Sequence, residues 1–167
     1  DYTRAPTDAE VRAELKSAFG EGAARAVDSA GLTTAGLATP PPAAPNRLVA
    51  IIRAANAVAR KPYVYGGGHG RFAGEIFSDS AYDCSGSVSY ALAAAGLLDS
   101  PLDSSGLARF GKAGPGRWVT IFANGGHAWM TVAGLRFDTS GRDESGSRWQ
   151  ADGRGTAGFT VRHPPGL

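Results

Sequence analysis

The chain has 167 residues, 43% of them hydrophobic, with 17 Lys and Arg against 15 Asp and Glu, 24 glycines, 10 prolines and one cysteine. That length suits one compact domain with a buried core and argues against a disordered chain. The net charge of +2 and the scattered Lys and Arg argue against a nucleic-acid partner held through phosphates. A single cysteine excludes both an intramolecular disulfide and a multi-cysteine zinc or iron–sulfur site. No run approaches the roughly 20 apolar residues that span a bilayer. The first residue is Asp1 rather than Met, so a processed chain with its signal peptide removed is expected.

From the N-terminus, Thr7-Asp8-Ala9-Glu10 reads as a helix start with a capping box, followed by a Val11, Leu15, Phe19 stripe and a stop at Gly20. Residues 33–45 hold Pro40, Pro41, Pro42 and Pro45 and read as an extended linker without helix or strand. The expected organisation is therefore a helical segment and linker over 1–45 and one domain over 46–167. Asn46 is placed to cap a helix carrying Leu48, Ile51, Ile52, Ala55 and Val58, which Pro62 ends. Tyr63-Val64-Tyr65 reads as a strand-like pair of aromatics entering the glycine run Gly66-Gly67-Gly68-His69-Gly70, and 71–82 reads as loop. Residues 84–95 form the next predicted helix, stopped by Gly96. Strands are predicted at 118–122, 127–132, 135–138 and 159–162, with loop over 139–158. Helices first and neighbouring strands second, without βαβ alternation, predict an α+β fold with an antiparallel sheet.

The lone thiol sits where loop becomes helix, in Asp83-Cys84-Ser85-Gly86. Asp83 is a natural N-cap, and Cys84 then lies in the first turn, with Val88, Ala91, Leu92 and Ala95 as the apolar face behind it. Free N–H groups and the positive helix end favour an anion there, as a thiolate nucleophile or a developing oxyanion requires. The polar or small neighbours Asp83, Ser85, Gly86 and Ser87 suit an open groove better than a core. A thiolate attacking an acyl carbon needs a proton carrier, and His127, after Asn124-Gly125-Gly126, opens a predicted strand. Strand alternation puts His127, Trp129 and Thr131 on one face and the core residues Ala128, Met130 and Val132 on the other. Trp129 on the His127 face is a candidate groove wall.

Hairpin parity supplies a third group. If Ala133-Gly134 is a two-residue turn, Val132 pairs with Leu135, and Arg136, Asp138 and Ser140 share the His127 face. Asp138 then lies diagonally from His127, roughly 7 Å away along the backbone, within reach of an imidazole. It can orient the ring, as the third member of a triad does. Ser140 and Asp143 stand behind it as alternatives.

These residues resemble the NlpC-type cell-wall cysteine peptidases, a papain-like family, across roughly 48–140. The matching segments are Tyr63-Val64-Tyr65-Gly66-Gly67, Asp83-Cys84-Ser85-Gly86, Gly126-His127 and a diverged strand entry, Pro115-Gly116-Arg117-Trp118-Val119. The resemblance implies a papain-like α+β fold and hydrolysis of amide bonds in peptidoglycan stem peptides. It implies Cys84 as nucleophile, His127 as general base and acid, Asp138 as the third residue, and Tyr63 on the oxyanion side. Asp83 and Ser85 would shape the substrate pocket, without metal or organic cofactor. A monomer acting on peptidoglycan, secreted or bound to the cell envelope, is the expectation. The 20 residues between Tyr63 and Cys84 exceed the family's usual interval, so 69–82, with His69, reads as an inserted loop beside the cleft.

Other constellations carry less. The glycine run lacks the Lys-Ser or Lys-Thr of a phosphate loop. Cys84, His69, His127 and His163 show no metal-ligand spacing. Trp118 and Trp149 read as core or groove wall, and Arg142, Arg148, Arg154 and Arg162 as solvated surface. The competing functions are an amidase or acyltransferase on the same fold and a non-catalytic wall-binding module.

Overall fold

The computed structural model describes residues 6–20, 27–70 and 77–167. The expected helix start at Thr7 is present. Helix α1, Asp8–Phe19, opens with a capping box in which the Glu10 carboxylate accepts the Thr7 N–H at 2.7 Å and the Thr7 hydroxyl accepts the Glu10 N–H at 3.3 Å. None of its residues is buried and Phe19 is exposed, so the predicted stripe fails at its last member. Ion pairs attach it instead: Arg12 to Asp28 at 3.1 Å, and Asp8 to Arg117 at 3.5 Å.

The reading of 33–45 as a linker without strand is corrected. Strands β1, Gly31–Leu32, and β2, Ala38–Thr39, form an antiparallel hairpin around this segment. The Asn56 side chain brackets Ala38, accepting its N–H and donating to its carbonyl, each at 2.9 Å. Because that amide satisfies both backbone groups, Ala38 can be buried without a third strand. Prolines here stiffen a packed segment; nothing local in the chain marks the distant Asn56 as its partner.

Helix α2, Asn46–Val58, buries Leu48, Ile51, Ile52, Ala55 and Val58, as the periodicity predicts, though Pro45 and not Asn46 occupies its N-cap. Its neighbour α3, Cys84–Ala94, packs along it and against the sheet. Two single-turn helices, α4 (Ser104–Leu107) and α5 (Arg142–Ser145), escaped the pattern search because four residues carry no periodicity.

Six antiparallel strands make the sheet: β3 (Lys112–Ala113), β4 (Val119–Ala123), β5 (Ala128–Val132), β6 (Leu135–Phe137), β7 (Trp149–Gln150) and β8 (Thr160–His163), in the order β3-β8-β4-β5-β6-β7. Alternate residues Ile121, Met130, Val132 and Phe137 are fully buried and face the helices in one core. Tyr63-Val64-Tyr65 is not strand; it runs into a turn closed by Gly67 N–H on the Val64 carbonyl, with all three side chains exposed. Of the loop expected at 69–82, residues 71–76 lie outside the described residues.

The expected parity is present in the paired residues of β5 and β6. Val132 faces Leu135, Thr131 faces Arg136 and Met130 faces Phe137, across a turn in which Ala133 and Gly134 both have positive φ (46° and 88°). Of the four arginines read as solvated, Arg148 is 0% exposed. Its guanidinium donates to the carbonyls of Val58 at 2.6 Å, Lys61 at 2.7 Å and Tyr82 at 2.8 Å. It thereby closes the C-terminal end of α2 and ties it to the residue preceding Asp83. Burial pulls its pKa down to about 10, leaving it charged at neutral pH. Arg142 adds bonds to Arg60 and Lys61 carbonyls, and Arg162 to those of Phe110 and Gly111.

Replacing Arg148 with Met removes the guanidinium donors from the Val58 and Tyr82 carbonyls while roughly keeping the volume. Urea unfolding should show a loss of about 3 kcal/mol, because charge-assisted hydrogen bonds to buried carbonyls are lost together.

Candidate active site

The site is assembled at the start of α3. Asp83 is the N-cap: its Oδ1 accepts the Gly86 N–H at 2.7 Å, and its Oδ2 accepts the Gly66 N–H at 2.9 Å. One carboxylate therefore caps the helix and pins the glycine run beside it. The Asp83 N–H returns a bond to the Gly67 carbonyl at 3.1 Å. This approach is so close that a Cβ on Gly86 would run into that carbonyl. Burial pushes Asp83 up, but bonds from His69, Gly86 and Gly66 outweigh it and hold the carboxyl below its ordinary value.

Cys84 occupies the first turn, 9% exposed. The expectation that its polar neighbours mark an open groove is corrected: Ser85, Ser87 and Ser89 are all buried. Their hydroxyls are spent on Asp83, the Cys84 carbonyl and Leu102. Within the first turn, Gly86 and Ser87 donate to Asp83, while the Cys84 and Ser85 N–H groups have no acceptor inside the helix. Openings lie beside the thiol and beside His127. A cavity of about 410 Å³ is lined by Tyr63, Tyr65, His69, Asp83, Cys84 and Ser85 among others. A second, about 490 Å³, is lined by Tyr63, His127, Ser140, Arg142 and Asp143.

His127 is delivered by a polar turn. Asn124 Oδ1 accepts the N–H of Gly126 and of His127, each at 2.9 Å, and β5 begins one residue later. The ring's Nε2 lies 2.9 Å from Asp138 Oδ1, which leaves Nδ1 for the thiol. Hydrogen bonds with Asp138 and then with Cys84 outweigh burial and push His127 up to about 9. Asp138 has a fully buried side chain. Desolvation raises it, but His127, the Ser140 N–H and Arg154 win, and its pKa is lowered. Its own N–H donates to the Arg148 carbonyl at 2.9 Å. Cys84, His127 and Asp138 thus converge from helix α3, the entry to β5 and the exit of β6.

The remaining candidates divide. Tyr63 stands in both cavities and is about half exposed. Ser85 and Asp83 line the thiol cavity, and Ser140 and Asp143 the other. Trp129 is 2% exposed, stacked on Phe122 at 4.1 Å and edge-on to Phe159. It shares the His127 face as predicted but presents no surface to the cleft, because those two rings cover it. His69, read as an inserted-loop residue, places Nε2 3.1 Å from both Asp83 Oδ1 and Ser85 Oγ. The hydrogen bond it donates to Asp83 raises its pKa above the usual value. Sequence reasoning missed Arg136 and Arg154, whose guanidinium groups both reach Asp138. Arg136 was legible from its place two residues before Asp138 on one strand face; nothing local marks Arg154. Among the described residues no group of three His, Cys, Asp or Glu is placed to hold a metal ion.

Two outcomes follow. The folded state raises His127 from 6.5 to about 9, so this stabilisation is complete below about pH 6.5 and is lost as pH rises to about 9. Urea midpoints should fall across that window, and Asp138→Asn should flatten the fall. Gly86→Ala should force the glycine run off α3, seen as a lower melting temperature and faster alkylation of Cys84.

No protein-family model matches the chain, and no curated protein matches it. Among solved structures, the crystal structure of the P60 domain from an M. avium subspecies paratuberculosis antigen is similar, at a TM-score of 0.50 and 21% identity. The match covers 70% of this chain and 93% of that one. The architecture is therefore the α+β, papain-like fold of a P60 domain, with helices packed on an antiparallel sheet.

Proposed function

We propose that this protein is a cysteine peptidase of the NlpC/P60 type that hydrolyses amide bonds in peptidoglycan stem peptides. The observation that carries the reading is the line Cys84, His127, Asp138, with the cysteine at a helix N-terminus and the Asp138 carboxylate on the far imidazole nitrogen. The likeness to a P60 domain supports the cell-wall setting. In this reading the chain works outside the cell membrane, in the envelope or beyond it.

The chemistry starts when His127 takes the Cys84 thiol proton. The sulfur attacks the amide carbon, and the oxyanion is met by the unspent N–H groups of the first turn, with Tyr63 at the rim. His127 then gives its proton to the leaving nitrogen, the C–N bond breaks, and an amine departs from a Cys84 thioester. Neutral His127 takes a proton from water, whose oxygen attacks the thioester; the C–S bond breaks and the acid leaves. Asp138 keeps Nε2 engaged throughout, so the ring shuttles the proton through Nδ1 without turning. Ser85 and Asp83 form the floor of the cavity beside the thiol, through their packing rather than through free polar atoms.

Purified sacculi incubated with the protein should release new peptide termini, detected by mass spectrometry of the muropeptides. Cys84→Ala should abolish this, and His127→Ala should lower it at least about 10³-fold. Release into an amine acceptor and not water would favour an acyltransferase, and binding without cleavage a wall-binding module. Unchanged profiles across several wall chemistries would remove the peptidase reading.

A further inference from the structure

The Asp138 carboxylate has more partners than a triad requires. Oδ1 accepts from His127 Nε2 and from the Ser140 N–H, each at 2.9 Å. Oδ2 accepts from two guanidinium groups, Arg136 and Arg154, again at 2.9 Å each. Both of these donors on Oδ2 are permanent cations, since arginine stays charged across the range in which histidine titrates.

The two cations are held differently. Arg136, on β6, is buried and also bonds the Asp152 carbonyl at 3.0 Å. Arg154 comes from the segment between β7 and β8, keeps 29% of its side chain exposed, and lies over the rings of Trp129 and Phe159 at 5.4 and 5.3 Å. Phe159 in turn sets its edge against His127 at 6.3 Å. The aromatic pair therefore seats Arg154 and covers the Asp138–His127 contact from the same side.

We propose that Arg154, with Arg136, is a positioning residue of the catalytic pair. It locks Asp138 so that Oδ1 faces Nε2, and it weakens the carboxylate's hold on the imidazole proton so that His127 can give the proton up. A buried carboxylate without these cations would grip an imidazolium so firmly that it served poorly as the acid for a leaving amine. Other charged or titratable groups face His127. Cys84 hydrogen-bonds to the ring, and Arg142 and Asp143, paired at 2.9 Å, share its cavity with Tyr63. Asp152 is largely exposed and reaches Arg136. None of these touches Asp138, so Arg154 can be removed without rearranging them.

The inference rests on the peptidase reading for its chemical meaning, and it is tested on the free protein. His127 is titrated by NMR of its ring carbon and proton in wild type, Arg154→Gln and Arg154→Lys, with amide spectra to establish folding. Arg154→Gln should move the His127 midpoint up by about one unit, and Arg154→Lys should bring it most of the way back. An unmoved or lowered midpoint in Arg154→Gln, a shift that lysine does not reverse, or loss of the folded spectrum would each overturn the proposal. Muropeptide release is read separately. A shift without cleavage leaves the coupling standing and removes the peptidase reading; cleavage without a shift does the reverse.

Discussion

Arg148 holds the parts of this molecule together at the place where the site is built. It is a buried cation whose two terminal guanidinium nitrogens donate to backbone carbonyls at α2's C-terminal end and of Tyr82. Such an arrangement uses the negative end of a helix dipole and several unpaired carbonyls to accommodate a charge that burial alone would penalise. Its backbone completes the link, since its N–H donates to Ala59 and its carbonyl accepts from Asp138. One residue thereby sets the spacing between the helix behind the nucleophile, the segment leading into Asp83, and the carboxylate behind His127.

From that anchor the site follows by short steps. Tyr82 leads into Asp83, whose carboxylate caps α3 and gathers the glycine run, and the cap places Cys84 in the first turn. On the sheet side, the tight turn at Ala133-Gly134 sets a register in which Asp138 faces back toward His127. Helix packing against β5 brings the two halves together, so the triad is a product of the α3–sheet interface. Glycine is required at position 86 for a simple reason: the cap works only if the loop's carbonyl lies against the helix.

The parts that could be read from the chain are those governed by short-range rules. The cap at Asp83, the apolar stripes of α2 and α3, and the β5–β6 register depend on residues within about ten positions of one another. Periodicity and turn chemistry report on such distances. The β1–β2 hairpin, Arg148 and Arg154 were misread or unseen, because each takes its meaning from a distant partner: Asn56 for Ala38, Val58 and Tyr82 for Arg148, Asp138 for Arg154. Composition treats an arginine as solvated until a buried acceptor for it is known. Trp129 shows the same limit, since strand alternation gave its face correctly and could not show that Phe122 and Phe159 cover it.

The single cysteine, taken alone, excluded disulfides and multi-thiol metal sites, and its neighbours marked a nucleophile candidate at a helix start. Local order along the chain determined that much, together with the antiparallel α+β class and the parity that points Asp138 at His127. Tertiary structure decided how buried that helix start is, which rings and cations surround the imidazole, and how the arginines are used. The reason is physical. A helix cap or a hairpin is closed by near neighbours, whereas desolvation, and the charges that answer it, are properties of a packed interior that no local stretch of sequence contains.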